Sequence, residues 1–248
     1  MTGSLQPAPD PVRVLAASAW AFRWQVELEA AARFERLAGR LERTGPGAGL
    51  APMARRAAFD ERRHARRCAE RVAAHGSAVS GPVAPPPEVA PSGLGPEQAL
   101  WYELVAACCV AETGSVAVLT SLLASAREPR LRGVLHELAV DEVDHARLGW
   151  AALAAARRRG ATAFLGPLLP AMLRGSVDDD FFLPADPARE DPRLLEAGVL
   201  PHSARRALFV ETLEEVIFPG LEGASVDTAA ARAWLAEVTT GPSPRGRG

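Results

Sequence analysis

Apolar residues recur along this chain at three- and four-residue spacing, and no stretch alternates with period two. That pattern predicts helices and argues against strands. Helical period runs without a breaker from Pro11 to about Arg43. A turn is expected from Thr44 to Gly49, then a second helix from about Ala51 to His75 with Pro52 in its first turn. Residues 76–96 hold six prolines, which excludes a helix or a central strand there. A third helix is expected from Pro96 and Glu97 to about Ala126. A fourth follows the break at Arg127 to Arg130 and runs from about Leu131 to Arg158.

Connection length sets the topology. Short links make helices 1 and 2 one antiparallel hairpin, and helices 3 and 4 another. The link between helices 2 and 3 is long and Pro-rich. Some 20 extended residues at roughly 3.1 Å each can traverse a helix of about 38 Å. One long crossover between two hairpins is therefore predicted. Beyond Gly160 the pattern is more broken. Helices are expected over 161–174, 192–199, 202–217 and 225–239, with an acidic loop from Ser176 to Pro187 that carries Phe181 and Phe182. Residues 1–10 and 241–248 read as disordered. The domain plan is a bundle over 11–158 and a helical extension over 159–240 packed on it, which either closes one end of the bundle or builds a homodimer face.

Two segments are near copies: Asp60-Glu-Arg-Arg-His-Ala-Arg66 and Asp141-Glu-Val-Asp-His-Ala-Arg147, identical at five of seven positions. Each places Glu-x-x-His in a helix, so Glu61 and His64 share a face, as do Glu142 and His145. Both pairs fall on stripes that must face inward: Leu50, Ala54, Ala57, Glu61, His64, Cys68 in helix 2, and Leu135, Leu138, Glu142, His145, Gly149, Ala152 in helix 4. Helix 1 carries Trp20, Trp24, Glu27, Ala31, Phe34, Ala38 and Leu41, apolar but for Glu27. Its rival Glu29 shares a stripe with Arg33 and Arg36 that reads as solvent-facing. Helix 3 carries Trp101, Val105, Cys108, Glu112, Val116, Leu119 and Leu123, apolar but for Glu112. Each hairpin thus supplies one Glu, then one Glu-x-x-His. Burying four carboxylates without cations would cost several kcal/mol each. A buried salt-bridge network is the bland alternative, but the inner stripes hold too little arginine for it.

Composition narrows the chemistry further. The 28 basic residues are all arginine. Without lysine there is no Schiff-base chemistry and no Walker-type phosphate loop. A net charge of −2 gives no reason to expect a nucleic-acid partner. The three cysteines form no C-x-x-C pair, and Cys68 and Cys108 read as small core residues. His75 and His202, near helix ends, read as surface or capping residues. No signal peptide and no apolar run of about 20 residues is expected, which predicts a cytoplasmic chain without a membrane partner.

These residues resemble the ferritin-like di-iron carboxylate superfamily, most nearly bacterial ferritin-like domain proteins with a duplicated D-E-x-x-H-A motif, over about residues 15–158. The resemblance implies an all-α, ferritin-like four-helix bundle. It implies two Fe ions, with Mn as the alternative, bridged by Glu61 and Glu142. Glu27 with His64, and Glu112 with His145, would be terminal ligands, although spacing leaves open which terminal Glu shares a metal with which His. Asp60 and Asp141 are expected as outer partners of the ligand imidazoles. Related oxygenases have an arginine just before the His. Arg63 fits this and Asp144 does not, and a salt bridge between Arg63 and Asp144 across helices 2 and 4 is the expectation. Within the superfamily, storage ferritins have one such motif, and rubrerythrins add a Cys₄ module that is absent here. Radical-forming reductases need a tyrosine closer than Tyr102. Arylamine N-oxygenases have a His where Leu138 stands. The resemblance therefore implies an O₂-activating oxidoreductase with a small organic substrate and an external electron donor. The alternatives are a ferroxidase or iron buffer, and an interaction bundle with a vestigial site.

Overall fold

A computed structural model describes residues 10–43, 49–81, 86 and 88–240. It is all-helical among these residues, with no strand. The expectations for residues 1–9, for most of the turn at 44–49, and for 241–248 lie outside the described residues. Four long helical rods pack together. They are α1 (Pro11–Arg43), α2 (Ala51–Ala74), a rod over Pro96–Ser125, and α5 (Pro129–Arg157). The third rod is composite: α3 (Pro96–Leu104), a π-helical stretch (Val105–Glu112) and α4 (Thr113–Ser125). The fourth starts two residues earlier than its periodicity indicates. Proline is tolerated at the first helical position, and the Glu128 carboxylate caps the turn by accepting from the amides of Arg130 at 2.8 Å and Leu131 at 2.7 Å.

Polar pairs along the rods give their directions. Arg55 meets Glu42 and Arg62 meets Glu35, so α1 and α2 are antiparallel. Arg67 meets Glu137 and Arg71 meets Glu128, so α2 and α5 are antiparallel. Arg36 meets Glu103 while Arg23 meets Ser115, so α1 and the third rod are antiparallel as well. Helix α2 and the third rod then run parallel, and the chain between them has to return along the bundle. Arginines of α1 hold that return: Arg13 donates to the His75 carbonyl at 2.7 Å, Arg36 to that of Pro86 at 3.1 Å and Arg40 to that of Pro96 at 3.3 Å. The stripe through Arg33 and Arg36 is thus not a solvent face, as its charge implies. Part of it clamps the crossover.

Two apolar layers fill the interior. One joins Phe34, Leu37 and Leu41 to Ala54, Trp101, Leu104 and Leu148. The other joins Trp20, Val72, Leu119, Leu135 and Leu138. A third cluster seats the later helices on the third and fourth rods: Leu169, Leu173, Phe218 and Trp234 pack with Val105, Cys109 and Leu153. These later helices are α6 (Leu169–Arg174), α7 (His202–Thr212), a π turn (Leu213–Ile217), α8 (Phe218–Gly223) and α9 (Ala229–Thr240). The helix expected to end at 217 runs on to Gly223, because its π turn precedes a Phe-Pro pair at the first positions of α8. Contrary to the reading of its composition, Pro96–Ser125 is long and apolar enough to cross a membrane. In this structure it is the third rod of the bundle and carries a buried glutamate.

Candidate metal centre

Between the residues that form the two apolar layers, each of the four rods buries polar groups. Glu27, Glu61, His64, Glu112, Glu142 and His145 are all buried, and Glu61 and His64 have no accessible surface. Their ligating atoms fall into two sets. Glu27, Glu61, His64 and Glu142 offer one atom each within 4.8 Å of one another, and so do Glu61, Glu112, Glu142 and His145. Glu61 and Glu142 belong to both sets. Glu27 stands with His64 and Glu112 with His145, a pairing that spacing leaves open. Within the sets His64 Nδ1 lies 3.2 Å from Glu61, and His145 Nδ1 lies 3.0 Å from both Glu61 and Glu142. The two rings are 5.8 Å apart.

The outer partners are crossed between the copies. His64 Nε2 is 3.0 Å from Asp141, which belongs to the other motif. His145 Nε2 is 3.7 Å from Asp60, again of the other motif, and forms no hydrogen bond at that distance. Arg63 lies between them, paired to Asp141, to Asp60 at 3.0 Å and to Glu137 at 3.0 Å. The expected bridge to Asp144 is absent: Asp144 is exposed and pairs with Arg147 at 2.8 Å. Position 144 falls on the solvent side of α5, one residue off the ligand stripe, while Asp141 faces α2.

Arg23 also reaches this group of side chains, and the sequence reading passed over it. Its guanidinium donates to Glu27 at 2.7 Å, to Ser115 at 2.9 Å and to Glu142 at 3.4 Å, and Ser115 donates to Glu142 at 3.1 Å. The available signal was its position four residues before Glu27, on the same helical face. The π-helical stretch leading into Glu112 was also not legible. Its i→i+5 bonding turns the buried face, so Val116 and Leu123 of the expected stripe are only half-buried, while Thr113, Leu119 and Leu122 are buried. Gly149 of α5 lies against this stretch. A Cβ there would come within 2.5 Å of Cys108 Cβ and 2.8 Å of the Cys109 amide nitrogen.

Electrostatically the centre is unbalanced. Of the four carboxylates, Glu27 and Glu142 pair with Arg23, and among the described residues no other arginine pairs with any of them. Burial would raise Glu27, but Arg23 and His64 outweigh it and hold Glu27 well below the carboxylate range. Burial also opposes ionisation of Glu142, and its bond to His145 keeps it low. Burial and the nearby Glu142 and Glu27 push Glu61 up to about 8, and burial with Glu142 and Glu61 carries Glu112 well above its ordinary value. Burial disfavours charged imidazoles, yet the bonded carboxylates raise His64 to about 10 and His145 to about 11. Protons therefore serve as the missing counter-charge. Carboxylate and imidazole donors converge on two points, with two carboxylates common to both. These buried Glu and His groups could hold a metal ion.

A cavity of about 580 Å³ opens against the centre, and Glu27, Glu61, Glu112 and Glu142 form part of its wall. The rest comes from α1, the third rod and the chain from Ser176 to Thr212. His202 is on this wall and is only 4% exposed, so it is not the surface residue its place at a helix end implies. Cys68, Cys108 and Cys109 are free and buried, as core residues would be. No family model, curated protein or solved structure matches this chain.

Proposed function

We propose that this chain is a ferritin-like di-iron carboxylate protein that activates O₂ to oxidise a small organic molecule. One observation carries the reading: two buried three-carboxylate, one-imidazole sets share Glu61 and Glu142 and border a cavity large enough for a substrate. Iron ions held there would supply the reaction with O₂. Glu61 and Glu142 would bridge them, with Glu27 and His64 completing one coordination sphere and Glu112 and His145 the other. Asp141 orients His64 through Nε2, and Arg63 fixes Asp141 in turn. Arg23 and Ser115 both hold Oε1 of Glu142 and so limit how far that carboxylate can swing. Electrons would come from an external donor.

The cavity favours this reading over a ferroxidase or iron buffer, which needs room only for ions and O₂. Anaerobic loading with Fe(II), followed by exposure to O₂, tests it. About two irons per chain, and O₂ uptake that rises when a substrate fills the cavity, are expected. Uptake that only converts Fe(II) to released ferric iron would favour the buffer, and no iron retained would remove both.

A further inference from the structure

The cavity wall has two chemically distinct parts besides the acidic centre. Much of it is aliphatic: Val26, Val110, Val118, Leu122, Val199 and Leu208 contribute. The first turn of α7 contributes something different. Among the described residues both ring nitrogens of His202 lack a hydrogen-bond partner although the side chain is buried, which is costly for a polar ring. Three residues on, Arg205 reaches the same cavity. Its guanidinium lies 5.2 Å from the Phe181 ring and forms no ion pair or hydrogen bond with any described residue. The acids nearby are otherwise placed: Asp180 is paired with Arg189 at 3.1 Å, Glu190 accepts from Ser203, and Asp178 sits at an exposed position on the rim. Burial pulls Arg205 below the ordinary guanidinium range. Arg189 and Arg23 add to that, and Asp178 offsets only part of it. A half-buried cation without an anion thus stands beside a buried imidazole without a partner.

We propose that the cavity binds an amphiphilic organic carboxylate, with its head on Arg205 and His202 and its apolar body along the aliphatic wall beside the acidic centre. The planar guanidinium matches a carboxylate with two parallel N–H···O bonds, and the His202 imidazole adds an N–H donor. The aliphatic wall offers a chain nothing to hydrogen-bond, so the body has to be apolar. The inference deepens the oxygen-activating reading by naming the substrate class, and the word substrate rests on that reading.

The 248-residue chain is titrated with decanoate and with decanol, below their aggregation limits, by calorimetry and by tryptophan fluorescence, to which Trp20 on the cavity wall contributes. Decanoate should bind about tenfold or more tightly than decanol, because only it can form charge-assisted bonds. Arg205→Gln should remove that preference and leave decanol affinity unchanged, and His202→Phe should reduce it. Equal affinity of the two ligands for the wild type overturns the proposal without any variant. So does an Arg205→Gln protein that still prefers decanoate. Iron content is measured on the same samples. A decanoate preference in protein that retains no iron would uphold this binding site while removing the oxygen chemistry, and iron-loaded protein without the preference would do the reverse.

Discussion

Among the described residues two places bury glutamate, and they solve the problem differently. Glu103 has no accessible surface and sits between two arginines of α1, Arg36 at 2.8 Å and Arg40 on its other oxygen. About three turns back along α1, Glu27, Glu61, Glu112 and Glu142 have, among the described residues, one paired arginine, Arg23, and otherwise rely on protons held by two histidines and by two of the acids themselves. The first arrangement is complete as it stands. The second is complete only when exchangeable cations are supplied. A buried carboxylate alone therefore does not mark a site. What marks one is a shortage of fixed positive charge among convergent donors.

The comparison breaks most visibly at Glu103. Glu103→Ala leaves two arginines facing a buried gap and should cost about 3–5 kcal/mol in denaturant unfolding, with or without iron. Rescue of this variant by iron would mean the two regions are coupled and the distinction fails. Gly149→Ala comes next. Its methyl meets Cys108 and the backbone of the π-helical stretch, so about 1–3 kcal/mol of stability should be lost, and iron should be lost first from the set containing Glu112. Unchanged stability would show that α5 can move away at no cost.

The pH dependence sharpens the contrast. His64 and His145 lie at about 10 and 11 in the folded protein against an ordinary 6.5. Their raised values stabilise the metal-free protein fully below about pH 6.5, and the contribution fades as pH climbs toward the folded values. Glu61, at about 8 against 4.5, keeps a proton that the unfolded chain releases earlier, so its ionisation disfavours folding increasingly up to about pH 8. Both slopes have the same sign. The Tm of metal-free protein should fall by about 5 °C or more between about pH 6 and pH 9, and Glu61→Gln should flatten the fall. Iron-loaded protein should show little of it, because the metal takes over the protons' role. A metal-free protein that gains stability over that range contradicts the charge assignment. The smallest effect is expected at Asp141→Asn, which keeps the fold but weakens the hold on His64: iron affinity should drop by about 10–100-fold in a chelator competition. No change would mean the crossed contact with Asp141 has no bearing on the ligand.

Much of this was legible along the chain because it is local. The i, i+3 spacing of Glu and His fixes a face within one turn, and lone acids such as Glu27 and Glu112 stand out on apolar stripes. Link lengths carried the hairpin-and-crossover plan. The rest depends on distances between helices. Nothing within the motif Asp60 to Arg66 says that Asp60 faces the other copy's histidine, or that Arg63 meets Asp141 and not Asp144. The π-helical stretch is hidden because Val105 to Val110 is apolar in every register. Nothing local to Glu103 says that Arg36 and Arg40 of α1 close over it. The cavity combines α1, the third rod and residues 176–212, a juxtaposition that no local pattern encodes.

The central claim is that cations belong between these carboxylates. A crystal of the Fe(II)-loaded protein measured at the iron absorption edge tests it most directly. Two anomalous peaks are predicted, one among Glu27, Glu61, His64 and Glu142 and one among Glu61, Glu112, Glu142 and His145, and only the first should survive in Glu112→Ala. Iron bound elsewhere, or no peak in a protein whose six side chains stand as described, would contradict the account.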